Sequence, residues 1–170
     1  MSLASFEAVT EVEITEADRG LLGEYGETML YVQLFELSLL GLVQAQGPEP
    51  ADPSLEAGLQ RVEELFSFTA GRLKRLAKIE DADFGEKLAA AVNTRNTLAH
   101  SYLVEARVRL ALEESSHAEE RNLLRGARQN FDAVRRELDR ITEAAHREAV
   151  IDPTVPELSL EDFRAMRDKE

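Results

Sequence analysis

Apolar residues fall three and four positions apart through almost the whole chain. That spacing keeps one face of a helix turned toward a core, so it limits the fold to packed helices. Period-two alternation, the mark of a half-buried strand, is confined to Val9–Thr15. All-α is therefore the expected class. Leu21 to about Gln46 reads as a first long helix, apolar over more than half of its circumference, which predicts deep burial. The loop GPEPADP, Gly47 to Pro53, ends it. Ser54 then offers an N-cap for a second helix carrying Leu55, Leu59, Val62, Leu65 and Phe66. A break or bend is expected around Thr69-Ala70-Gly71, followed by a short helical piece to about Lys78 that carries Leu73 and Leu76. Asp81 or Asp83 can cap the third helix, which runs to somewhere between Tyr102 and Glu114. The fourth spans roughly Ala118 to Val150 and is rich in Leu, Ala, Arg and Glu. Short loops between long helices predict an up-and-down antiparallel bundle of four main helices with short accessory helices.

A chain of 170 residues suits one domain with a substantial core. The expected organisation is an acidic N-terminal extension (1–20), the helical bundle (21–150) and a tail (151–170) in which Ser159 can start a short helix. With no cysteine the chain has no disulfide framework, thiolate metal site or cysteine nucleophile. The acidic N-terminus does not resemble an export presequence, and the apolar run Met29–Val43 is too short to span a bilayer and carries Gln33 and Glu36. A cytoplasmic protein with no membrane partner is the expectation.

The formal charge of -13 opposes binding to a polyanion, but the charge is unevenly spread. Residues 1–70 hold 13 acids and 2 bases, whereas residues 71–147 hold 13 acids and 15 bases. An RNA substrate is therefore compatible with the central segment.

That segment contains an anomaly. At about 100° per residue, Phe84, Leu88, Ala91, Val92, Ala99, Tyr102 and Ala106 share one helical stripe, and Arg95 falls near its middle. A guanidinium keeps its proton, so burying it costs several kcal/mol, on the order of the penalty for any desolvated ion, unless an anion meets it. The stripe thus predicts a partner for Arg95. A carboxylate from another helix would make the arginine a structural strut; a phosphate in a cleft would make it a clamp. Asn96 and His100, four apart, lie together on one flank.

The run Arg95-Asn96-Thr97-Leu98-Ala99-His100-Ser101-Tyr102 resembles the signature of the HEPN superfamily. In that signature an Arg, often followed by a polar residue such as Asn, precedes a His by four to six residues, and four intervene here. The Tyr two places after the His resembles the form in HEPN toxins paired with a minimal nucleotidyltransferase. Upstream, Thr69 to Leu73, Phe84 and Leu88 are similar to the pattern preceding the motif in a group of bacterial HEPN-like proteins. The resemblance implies a helical bundle that forms a homodimer, with two copies of the motif meeting in a cleft. It further implies a metal-independent endoribonuclease, a toxin or a defence or stress effector, that cuts RNA by attack of a 2′-hydroxyl on the adjacent phosphate. His100 would move protons and Arg95 would clamp phosphate, while Asn96 positions substrate and Tyr102 lines the cleft. Tyr102 would also be the residue that a nucleotidyltransferase partner modifies with AMP; an antitoxin is the other partner implied. No metal or cofactor is required. Arg95 and His100 lie about 140° apart on an ideal helix, so one protomer does not aim both at one atom, and a symmetric dimer relieves this.

A different class of function fits the same residues: a non-catalytic helical module that binds a protein or nucleotide partner. Neither His117, among Glu113, Glu114, Glu119 and Glu120, nor His146 has a carboxylate or histidine at convincing metal-ligand spacing. The series Arg121, Arg125, Arg128, Arg135, Arg136 and Arg140 is interleaved with acids and reads as a solvated helix laced with ion pairs. No Gly-rich phosphate loop or nucleophile elbow is present.

Overall fold

The computed structural model describes residues 14–47 and 55–149. The helices are α1 (Glu16–Ala45), α2 (Leu55–Phe66), α3 (Ala70–Leu76), α4 (Ala82–His100), α5 (Tyr102–Ala111) and α6 (His117–Ala149), and no strand occurs among the described residues. The all-α class is as expected. The helix of residues 21–46 starts earlier than its apolar run, because Thr15 and Asp18 form a reciprocal capping box that satisfies the backbone N–H groups of both residues. The strand-like alternation of Val9–Thr15 lies mostly outside the described residues, as do the expected Ser54 cap and the 151–170 tail. Thr69 caps α3 and Asp81 caps α4 through their side chains, which places the predicted break and the predicted cap.

The core is built around one seam. On α1 the positions Leu21, Tyr25, Thr28, Val32, Phe35, Leu39 and Leu42 alternate in steps of four and three; on α6, Glu120, Leu124, Ala127, Phe131, Val134, Leu138 and Ile141 do the same. Two such stripes pack as a coiled-coil-like pair. Phe35 and Phe131 meet at its centre, with ring centroids 5.5 Å apart, and neither ring is exposed. Burial of each such side chain stabilises the fold by about 1.5–3 kcal/mol. The pairings ascend together, Asp18 with His117, Glu24 with Arg125 and Phe35 with Phe131, so α1 and α6 run parallel.

α4 runs the other way. Lys78, just ahead of it, bonds Gln46 at the end of α1 through both backbone groups; further along α4, Arg95 meets Glu36 and the Leu98 carbonyl meets Tyr25. The expected order of four alternating long helices is therefore not what the described residues adopt. α2 is only 12 residues, about 18 Å, and α3 is shorter still. Together they return the chain to the end where α1 finished, leaving three long passes (α1, α4 with α5, and α6), whose first and last share a direction.

The third predicted helix is also interrupted. Ser101, at φ -132° and ψ -22°, separates α4 from α5. The break leaves the Leu98 carbonyl off the regular ladder, and the Tyr25 hydroxyl donates to it at 2.9 Å. α1, at 30 residues, is long and apolar enough by composition to cross a bilayer. One face of it forms the core seam, while Leu22, Leu30, Leu34 and Leu37 remain exposed.

Candidate functional site

Arg95 lies on the core-facing side of α4, as its place in the stripe requires, and it has the anion the stripe predicted. Its Nε donates to Glu36 Oε1 at 2.6 Å, across 59 residues of sequence. The side chains are 23% and 28% exposed, so the pair is neither dry nor fully solvated. Arg95 Nη1 also donates weakly to Asn96 Oδ1 at 3.4 Å. The stripe itself is slightly different from the ideal one: Leu98 is buried where Ala99 was expected, and Ala99 faces solvent. Beside the ion pair is a pocket of about 370 Å³ where α1, α3 and α4 meet the end of α2. Leu37, Leu40, Leu65, Phe68 and Leu73 form its apolar wall, and Gln33, Glu36 and Arg95 its polar edge.

His100 is the last residue of α4 and is exposed, with no hydrogen bond or ion pair to its side chain among the described residues. Asn96, one turn earlier, is exposed as well. A single protomer thus presents Arg95 to the pocket and His100 to solvent on a different flank, in keeping with the 140° between them on an ideal helix.

Tyr102 is in the core, 6% exposed. Its ring stacks on Tyr25, with centroids 5.8 Å apart and planes 2° from parallel, and its hydroxyl donates to Glu120 Oε2 at 3.1 Å. Desolvation, with the neighbouring Glu120 carboxylate adding to it, pushes the phenol well above its ordinary range. The same carboxylate accepts two bonds from Arg109, Nε and Nη2, each 2.8 Å, in a bidentate fork. Glu120 has no exposure at all, and the Arg109 bonds hold its carboxyl below the ordinary range against the opposing effect of burial. The phenol oxygen is therefore held by Glu120 at the start of α6, while the residue also lines a cavity between α4, α5 and α6.

Sequence reasoning missed this Tyr25–Tyr102–Glu120–Arg109 cluster. A signal existed: Glu120 occupies a seam position shared with Leu124, Phe131 and Leu138, where an acid is as misplaced as Arg95 is on α4. Five of the six arginines of the α6 series behave as the interleaved acids suggested. Arg125 pairs with Glu24, Arg128 with Glu24 and Glu27, Arg135 with Asp132 and Asp139, Arg136 with Asp132, and Arg140 with Glu137. Several of these pairs bridge α6 to α1 along the rim of the seam. His117 Nε2 is 3.1 Å from Asp18 Oδ1, joining the starts of the two parallel helices. Among the described residues no group of three or more His, Asp or Glu side chains could hold a metal ion.

Comparison with known protein families, with curated proteins and with solved structures yields no match. The chemistry therefore has to be argued from the site. An exposed imidazole can pass a proton to or from a bound group, and a guanidinium with one edge on Glu36 keeps further N–H groups for an oxyanion. Both lie on one helix, and neither alone completes a reaction centre.

Proposed function

We propose that the chain is a HEPN-like protein that acts as a homodimeric, metal-independent endoribonuclease, a toxin or a defence or stress effector. The observation that carries the reading is the state of His100: exposed, at the end of α4, and without a side-chain bond among the described residues. From that position the ring is free to reach a bound substrate. In the proposed reaction the 2′-oxygen bonds to phosphorus, the bond from phosphorus to the 5′-oxygen breaks, His100 mediates the proton transfers, and Arg95 offsets charge on the phosphate. Asn96 positions the substrate. A twofold axis that sets two α4 C-termini face to face supplies both side chains to one cleft, which a single protomer does not. RNA is the substrate, no metal or cofactor takes part, and the partner is a second copy together with an antitoxin or nucleotidyltransferase. Modification of Tyr102 by such a nucleotidyltransferase needs its hydroxyl released from Glu120. The cytoplasm is the corresponding location.

The ion pair of Arg95 with Glu36 favours a second reading, a non-catalytic module in which the arginine fastens α4 to α1. The test is cleavage of total and transfer RNA in EDTA by the wild type and by Arg95→Ala and His100→Ala. Products ending in 2′,3′-cyclic phosphate from the wild type, with each variant lowered at least about a hundredfold, are expected. An inert wild-type dimer, freed of any bound partner, would establish the module instead; equal cleavage by all three proteins would place the activity elsewhere.

A further inference from the structure

The pocket beside Arg95 is larger than a strut requires. An ion pair that only fastens two helices needs no void, yet this one borders about 370 Å³ of space. That is within the range of small-ligand pockets, which are mostly apolar with a few placed polar groups. Its make-up is of that kind: Leu37, Leu73 and Phe68 among the apolar lining residues, with Gln33, Glu36 and Arg95 as the polar ones. Such a lining suits a flat, weakly polar body joined to an anion. The Phe68 ring is itself held by the guanidinium of Arg72, 3.3 Å from its centroid, although Arg72 does not line the pocket. A nucleotide has the required halves: a planar base for the apolar wall and the amide of Gln33, and a phosphate for the N–H groups of Arg95 that Glu36 leaves open.

We propose that this pocket is a nucleotide-binding subsite, in which Glu36 is an internal carboxylate that shares Arg95 with the incoming phosphate. The assignment rests on the RNA reading above and deepens it by naming where one nucleotide of the substrate sits. Glu36 is then a restraint on the site. It keeps Arg95 oriented when the pocket is empty, and it opposes the phosphate by like charge when the pocket fills. Binding is accordingly strengthened by removing that charge while keeping the hydrogen bond, and weakened by filling the apolar mouth at Leu37, which is 47% exposed and tolerates a larger side chain.

The experiment is calorimetric titration of the full chain with adenosine 3′-monophosphate and uridine 3′-monophosphate, against ribose 5-phosphate and inorganic phosphate, with RNA cleavage measured on the same proteins. Nucleotide binding should tighten about fivefold in Glu36→Gln and weaken at least about tenfold in Leu37→Trp and in Arg95→Ala. Circular dichroism and thermal melting on each variant separate loss of binding from loss of fold, and the exposed Leu37 site keeps the test independent of core repacking. Equal binding of inorganic phosphate and nucleotide, unaffected by Leu37→Trp, overturns the base pocket, as does binding of neither by both the wild type and Glu36→Gln. RNA cleavage that survives Leu37→Trp unchanged removes the subsite and leaves the ribonuclease standing. The predicted nucleotide pattern without any RNA cleavage keeps the subsite and removes the ribonuclease.

Discussion

Among the described residues Glu120 is the one charged side chain with no exposure, and it is held by a bidentate arginine and a phenol. Removing one member of such a set leaves another charged and unpaired in a poor solvent, which is costly even when the pair itself contributes little. Arg109→Ala should lower stability by about 3 kcal/mol, measured by urea denaturation, because Glu120 is then stranded. Glu120→Gln should cost less, since an amide still meets the Tyr102 hydroxyl. The pH dependence has a definite sign. The carboxyl of Glu120 is held below its ordinary value of 4.5 by the Arg109 bonds, so the unfolded chain takes up the proton first as pH falls. Its contribution is intact above that value and lost progressively below it. Glu120→Gln should flatten this acid limb, seen as urea midpoints that fall less steeply with pH than in the wild type. Arg95, the other charge on an apolar stripe, was legible as needing an anion. That the anion is Glu36 was not legible, because 59 residues separate them and only folding brings them to 2.6 Å.

At the scale of helices, the caps and apolar stripes did most of the work. Asp81 at the start of α4 and Thr69 at the start of α3 are short-range features, set by one side chain and one backbone N–H three residues on, and such features can be read locally. The interruption at Ser101 could not, since nothing in its neighbours' propensities demands it; the stack of Tyr102 on Tyr25 and the hydroxyl of Tyr25 on Leu98 hold the two segments in their new phase. α6 contains a glycine where its pattern needs none. An added Cβ at Gly126 would meet nothing within 4 Å. Gly126→Ala should therefore stabilise the protein by about 1 kcal/mol through helix propensity alone, read as a raised melting temperature with RNA cleavage unchanged. The stabilisation would be absent if that part of α6 were frayed in the native state.

For the molecule as a whole, the direction of the passes decides which surfaces are available. With α1 and α6 parallel and paired along their length, the outer face of α1 keeps Leu30, Leu34 and Leu37 exposed, the last of them lining the Arg95 pocket, while His100 ends α4 on another flank. The proposed homodimer, with sites shared between protomers, makes a specific demand. Mixing Arg95→Ala chains with His100→Ala chains should restore cleavage to about a quarter of the wild-type rate, because half of the dimers are mixed and each has one complete composite site. No recovery on mixing, with subunit exchange verified, would mean that each protomer's site is its own.

The sequence alone determined the helical class, the approximate limits of the long helices and the oddity of an arginine on an apolar stripe, because those follow from periodicity and from the desolvation of a single charge. Tertiary structure decided the rest. It chose the parallel pairing of α1 with α6, supplied Glu36 to Arg95, enclosed Tyr102 with Glu120 and Arg109, and left a pocket beside the motif. Each of these depends on which faces meet across many tens of residues, and the spacing within any one helix is the same whichever neighbour it finds.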